Sequence, residues 1–232
     1  MTRHHKIEII PAILPSDFRE ILEKADLVKG FTKTIQIDIC DGHFVPSFTW
    51  PYIKHDDSYE RMLHEEDGLP FWKELDYEFD LMVDHPEKII EDWVMVGATR
   101  IVIHAEAKGD VVGAINALGG RVEVGLAFNI DTDIVIPASV KESLDGLSCI
   151  DFIQLMGIDR VGYQGQKFDE KVIEKIKSTK TKYPNIPISI DGAVSLETAP
   201  RLIAAGANRL VIGSAIFETD NPIDAVMRFK TL

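Results

Sequence analysis

Three aspartates stand at or near the ends of segments that alternate in hydropathy. Asp38 follows Ile35-Gln36-Ile37, Asp80 lies in Tyr77-Glu78-Phe79-Asp80-Leu81-Met82-Val83, and Asp191 closes Ile186-Pro187-Ile188-Ser189-Ile190. A period of two sends alternate residues to opposite faces, as in a strand. After Asp38 come Ile39, Cys40 and the tight turn Asp41-Gly42, with His43, Phe44 and Pro46 returning apolar bulk toward the strand end. Two carboxylates on opposite sides of a pocket can serve one substrate carbon from both faces, one removing a proton and the other returning it. That arrangement suits epimerisation beside a carbonyl. Each positioned acid or base is worth about 10²- to 10⁴-fold. The remaining barrier must fall by electrostatic stabilisation of the enediolate oxygens, for which a bound cation is the usual means. A single strand-end Asp is ordinarily solvated; three on one rim carry the reading.

A second chemistry is written in glycines. Gly162-Tyr163-Gln164-Gly165-Gln166, Asp191-Gly192-Ala193 and Ile212-Gly213-Ser214-Ala215 each follow an apolar run. Backbone N–H groups at glycine turns bind phosphate without Lys or Arg. Any one such turn is also an ordinary loop; the three together predict a phosphate site.

The elements that must position these groups alternate along the chain. Strands are predicted at 8–14, 33–40, 77–83, 100–104, 122–128, 151–156, 186–191 and 209–212. Helices are predicted at 19–29 with Ser16 as cap, from Pro86, and at 110–118, 132–147, 169–183, 198–205 and 214–229. Residues Ser47 to Leu69 form an irregular insertion carrying Trp50 and Pro51, with one or two helical turns and a helix ending near Leu75. A loop of that length reads as a lid or a subunit contact. About eight strand–helix units without a linker or a shift in composition predict one α/β domain over 1–232, a (β/α)8 TIM barrel with its site at the strand C-termini. The alternative, a doubly wound open sheet, lacks its GxGxxG fingerprint, and no P-loop is present.

Composition excludes several partners. The 232 residues carry 25 Lys+Arg against 38 Asp+Glu, a formal net charge of −13. Nucleic acid and anionic membrane surfaces are therefore not expected ligands. Cys40 and Cys149 lack CxxC spacing and read as small apolar fillers. With no apolar run of membrane-spanning length, the expectation is a cytoplasmic protein.

The chain resembles the ribulose-phosphate 3-epimerase family, a ribulose-phosphate-binding type of barrel. The likeness rests on Pro11 to Phe18, Asp38-Ile39-Cys40-Asp41-Gly42-His43-Phe44-Val45-Pro46, Leu81-Met82-Val83 with Pro86, His104-Ala105-Glu106-Ala107, Gly162 to Phe168, Asp191-Gly192, and Gly206-Ala207-Asn208 with Gly213-Ser214-Ala215-Ile216-Phe217. It implies a C3 epimerase of D-ribulose 5-phosphate in the pentose phosphate pathway, commonly oligomeric, with Asp38 and Asp191 as the acid/base pair. Met82 and Met156 would cap the sugar, Ala12 and His43 would lie against it, and Gly162, Gly165, Gly192, Ala193, Gly213 and Ser214 would hold the phosphate. The family's divalent metal sits on two His and the two Asp. Here both His positions differ, being Gln36 and Asp80, and the strand-one Ser is Ala12. The set Gln36, Asp38, Asp80 and Asp191 is all oxygen, which favours magnesium or manganese over zinc. If no metal is held, the clustered carboxylates repel and at least one pKa rises.

Two alternatives accompany this expectation: a six-carbon ketose 6-phosphate as substrate, since Ala12 opens space, and a sugar-phosphate-binding protein without turnover. Decarboxylation is disfavoured, because the related barrels use Asp-x-Lys-x-x-Asp where this chain reads Asp80-Leu81-Met82-Val83-Asp84-His85. A Schiff-base aldolase is disfavoured too, strand six having no lysine. His104 is read as a buried hydrogen-bonding residue and His43 also as support for its turn.

Overall fold

The computed structural model describes residues 7–53, 57–140, 149–163 and 165–232. Strands β1 (Glu8–Ile13), β2 (Thr34–Cys40), β3 (Asp76–Met82), β4 (Arg100–His104), β5 (Glu123–Phe128), β6 (Phe152–Met156), β7 (Ile188–Asp191) and β8 (Arg209–Ile212) close into a barrel in chain order. Every neighbouring pair is parallel, including β8 with β1. Helices α1 (Phe18–Val28), α2 (Ser58–Leu63), α3 (Ile90–Val96), α4 (Val111–Leu118), α5 (Lys171–Lys182), α6 (Ala199–Ala205), α7 (Ser214–Phe217) and α8 (Pro222–Phe229) lie between or after the strands.

The alternation read from the sequence decides the two faces. Ile35, Ile37 and Ile39 of β2, Tyr77, Phe79 and Leu81 of β3, and Leu210 and Ile212 of β8 belong to one large apolar cluster with buried residues of α1, α3, α5, α6 and α8. The residues between them point into the barrel. Some are apolar, as with Ile10, Ala12 and Val211, or Val102, Ala127 and Phe152. Others are polar and almost wholly buried: Gln36, Glu78, Asp80, His104, Gln154, Ser189 and Arg209. Such groups are tolerated only when paired. At the N-terminal floor Arg209 reaches Glu78 across the barrel, and Arg209 and Arg100 also pair with Glu8 at 3.1 and 2.7 Å.

Several boundaries depart from the sequence prediction for local reasons. Asp17, not Ser16, caps α1 by accepting from the Glu20 N–H at 3.0 Å, while the Ser16 N–H donates to Glu20 Oε2 at 2.7 Å. Pro86 opens a 3-10 turn ahead of α3. The helix predicted from Thr132 is not formed through Val140, where Pro137 cannot donate a helical hydrogen bond; its remainder, 141–147, lies outside the described residues. The helix predicted over 214–229 is two, because Asn221 is extended before Pro222 and caps α8 through the Asp224 N–H. Residues 70–74 are a turn rather than a helix.

The insertion after β2 is core rather than cover. Trp50, Met62, Leu69 and Leu75 are buried in the large apolar cluster. Trp50 packs on Phe18, Tyr59 and Trp93 at 5.5, 5.9 and 5.9 Å between ring centroids and donates to Ser58 Oγ at 2.9 Å. No helix among the described residues is long and apolar enough to cross a membrane.

Candidate active site

Parallel pairing in register sets the site. Asp38 lies opposite Asp80 in the β2–β3 ladder, and Asp191 lies opposite Met156 in the β6–β7 ladder. Strands β2 and β7 stand on different sides of the barrel, so their inward side chains meet across its interior. One ligand-capable oxygen from each of Asp38, Asp80 and Asp191 lies within 4.8 Å of the others. The Gln36 Nε2 group donates to Asp38 Oδ1 at 2.8 Å and to Asp191 Oδ2 at 2.9 Å. Both carboxylates line a cleft at the strand C-termini, together with Ala12, Met82, Met156, Gly162, Gly165, Gly192, Ala193, Gly213 and Ser214. His43 is the exception among the expected contacts. It is exposed, does not line the cleft, and its backbone N–H donates to Asp41 Oδ1 at 2.8 Å within the turn.

That turn is tied down on both sides. Asp41 accepts the N–H groups of His43 and Phe44 with one oxygen and that of Asp84 with the other, linking the ends of β2 and β3. Phe44 then covers His104 at 5.0 Å between ring centroids. Across the cleft, Gly192 adopts φ +96°, and a Cβ there would sit 2.7 Å from Ile158 Cγ1. Ala193 follows at φ +54°, a left-handed residue with a side chain, which costs energy and is common at functional sites.

The electrostatics follow from packing acids together. Burial, then the Asp191 and Asp80 charges, holds Asp38 well above the usual carboxylate range. Burial and the Asp80 charge push Asp191 up to about 7. Beneath them His104 Nε2 hydrogen-bonds Asp80 Oδ1 at 3.0 Å, and its Nδ1 faces Glu106 Oε2 at 3.8 Å. Burial alone would depress His104, but Asp80 and Glu106 overcome it and raise it to about 10, so the imidazolium persists at neutral pH. Burial works against Glu106 too, yet the nearby His104 imidazolium, Thr132 and the Asn129 N–H, which donates to Oε1 at 2.8 Å, bring it to about 2. The second oxygen of Asp80 accepts from Gln154 Nε2 at 2.9 Å. At neutral pH one more proton is therefore expected within the Asp38–Asp191 pair. A pair sharing one proton has both an acid and a base ready.

The donor set suits a hard cation. Three carboxylate oxygens converge, all of them oxygen donors, as magnesium and manganese prefer. Gln36 turns its nitrogen toward them, and its Oε1 is buried with no hydrogen-bond partner among the described residues. Sequence reasoning assigned His104 only a buried hydrogen bond and passed over Gln154, which the period of two through Phe152, Gln154 and Met156 places on the inner face. Leu14, Ile158, Val194 and Val211 also line the cleft.

Comparison with known proteins follows the same outline. Residues 8–217 match the model of the ribulose-phosphate 3 epimerase family. The chain is 32% identical over 232 residues to a ribulose-phosphate 3-epimerase of Bacillus subtilis, covering 97% of this chain and 98% of that one. It is 29% identical to a cytoplasmic isoform from Oryza sativa subsp. japonica, covering 96% and 92%. Among solved structures, 3-hexulose-6-phosphate synthase from Salmonella typhimurium superposes with a TM-score of 0.64 at 15% identity, covering 97% of this chain and 97% of that one. At that identity the likeness concerns the fold.

Proposed function

Because the chain belongs to the ribulose-phosphate 3-epimerase family, we propose that it inverts C3 of a ketose phosphate, converting D-ribulose 5-phosphate to D-xylulose 5-phosphate. The observation that carries the reading is the pairing of Asp38 and Asp191 from different walls of the barrel through one Gln36 amide nitrogen. A substrate lying in the cleft above them presents the two faces of C3 to the two carboxylates. The ionised one removes the C3 proton, giving an enediolate with the neighbouring carbonyl, and the protonated one delivers a proton to the opposite face. Each turnover exchanges the two roles, so the shared proton is restored when the reverse reaction runs.

The phosphate is held by backbone N–H groups of the loops after β6, β7 and β8, where Gly162, Gly165, Gly192, Ala193, Gly213 and Ser214 line the cleft. Met82 and Met156 cover the sugar, both nearly buried beside the acid/base pair. A divalent cation, magnesium or manganese, held by Asp38, Asp80 and Asp191 would supply electrostatic stabilisation of the enediolate oxygens. The acidic surface and the Oryza relative support a cytoplasmic enzyme without nucleic-acid or membrane partners. The commonly oligomeric habit of the family supports self-association.

The retained acid/base pair supports this reading over a binding protein without turnover. Incorporation of solvent deuterium at C3 of ribulose 5-phosphate, followed by NMR with and without magnesium or manganese, is the test. Exchange at C3 with accumulation of xylulose 5-phosphate is expected; tight binding without exchange in either condition would overturn the assignment. The same assay with a six-carbon ketose 6-phosphate ranks the substrates by kcat/KM, and the five-carbon sugar is expected to lead.

A further inference from the structure

Gln36 lies one pleat below Asp38 on the same face of β2, and its side chain is fully buried. An amide nitrogen has two hydrogens, and both are spent on the acid/base pair, at 2.8 Å to Asp38 and 2.9 Å to Asp191. The opposite end of the same group is treated differently. Gln36 Oε1 is buried and meets no hydrogen-bond donor among the described residues, which is unfavourable for a carbonyl. A carboxamide is close to symmetric in shape, and its terminal torsion is broad and nearly two-fold. A half-turn therefore exchanges nitrogen and oxygen while the rest of the side chain stays in place. With oxygen inward the group would face two carboxylates and be repelled, unless a cation lay between them.

We propose that Gln36 is a two-position element under the active site: nitrogen inward, it staples Asp38 to Asp191 in the cation-free protein, and oxygen inward, it becomes the fourth oxygen donor to a hard divalent cation. The inference rests on the reading that Asp38, Asp80 and Asp191 hold such a cation, and it adds what the neighbouring amide does with and without one. A fixed ligand such as a carboxylate at this position would leave four acids together when the cation departs. The amide avoids that by turning its hydrogens to the pair, so the spacing across β2 and β7 is kept in both states. Gln36 is thus a positioning residue whose two ends serve two charge states of the same site.

The test uses the full chain, Mn²⁺ as the probe, and three proteins: wild type, Gln36→Glu and Gln36→Met. Mn²⁺ affinity is measured by calorimetry and the thermal midpoint in excess chelator. Gln36→Glu supplies oxygen without N–H, so Mn²⁺ should bind at least about tenfold tighter while the cation-free midpoint falls. Gln36→Met keeps the length and removes both functions; Mn²⁺ should bind at least about tenfold more weakly, and the cation-free midpoint should again fall. The Gln36 side-chain NH₂ resonance, assigned by its loss in Gln36→Met, should move on addition of Mg²⁺ as its hydrogen bonds are released. Wild-type Mn²⁺ affinity in Gln36→Met would overturn the inward-oxygen position, and an unchanged cation-free midpoint in both variants would overturn the staple. Failure of wild type itself to bind Mn²⁺ at millimolar concentration would overturn the cation reading and the second position together, a result distinguishable from both.

Discussion

Replacing Asp191 by Asn probes the site with the least disturbance of its packing. The Asn side chain is isosteric, and its carbonyl can still accept the Gln36 Nε2 hydrogen bond now given to Asp191 Oδ2 at 2.9 Å. What disappears is one of two proton-transfer groups and one buried negative charge. A positioned acid or base contributes about 10²- to 10⁴-fold, or roughly 3 to 5 kcal/mol of barrier, so kcat for epimerisation should fall by that amount with the fold intact. On the proposed mechanism one half-reaction survives. Asp38 alone still reaches one face of C3, so in D₂O the variant should wash out the C3 hydrogen of one epimer and leave the other protonated. Asp38→Asn should do the same with the epimers exchanged. The loss of the Asp191 charge, the largest Coulombic influence on Asp38, should also draw the Asp38 titration down toward the usual carboxylate range. Proton NMR of both epimers with each variant gives the answer. Retention of more than a tenth of the wild-type rate in either variant, or wash-out of both epimers by both, would refute the two-carboxylate mechanism.

Other consequences follow from the same packing. Asp191 is raised from 3.8 to about 7 by folding, so the folded chain keeps a proton that the unfolded chain has lost between those values. This group's contribution to stability therefore declines as pH rises from about 4 to about 7; Asp191→Asn should raise the thermal midpoint relative to wild type at pH 8 and lose most of that advantage at pH 4. At the barrel floor, Arg209→Met removes the hydrogen-bonded partner of the fully buried Glu78, leaving it only Arg100 at 3.9 Å, and should cost about 3–5 kcal/mol by urea unfolding, with much of the loss recovered in Arg209→Met/Glu78→Leu. Trp50→Ala should destabilise by about 3–5 kcal/mol and leave kcat/KM within about twofold, because Trp50 packs in the outer apolar cluster and does not line the cleft; a large drop in kcat/KM at unchanged stability would restore the lid reading of the insertion.

The sequence alone determined what local rules determine. A period of two placed Ile35, Ile37 and Ile39 against the helices and Gln36 and Asp38 on the inner face. The unbroken strand–helix rhythm required a parallel sheet, and the run from Asp38 to Pro46 announced a family whose acid/base residues could be matched to Asp38 and Asp191. Where a single residue overrules a pattern, the element was misread: Pro137 halts the helix drawn from Thr132 and Pro222 divides the last one. The fate of the 47–75 segment was open in the sequence, because burial of Trp50 depends on Phe18 of α1 and Trp93 of α3 arriving from outside the segment, and on Tyr59 folding back from within it. Closure of the barrel decided the rest. Only when β2 and β7 face each other does Gln36 find Asp191, 155 residues away, and only with β3, β4 and β6 in register do His104 and Gln154 converge on Asp80. Charge states were decided there as well, since a carboxylate responds to the dielectric and the charges within a few ångströms of it, and those neighbours are set by the fold.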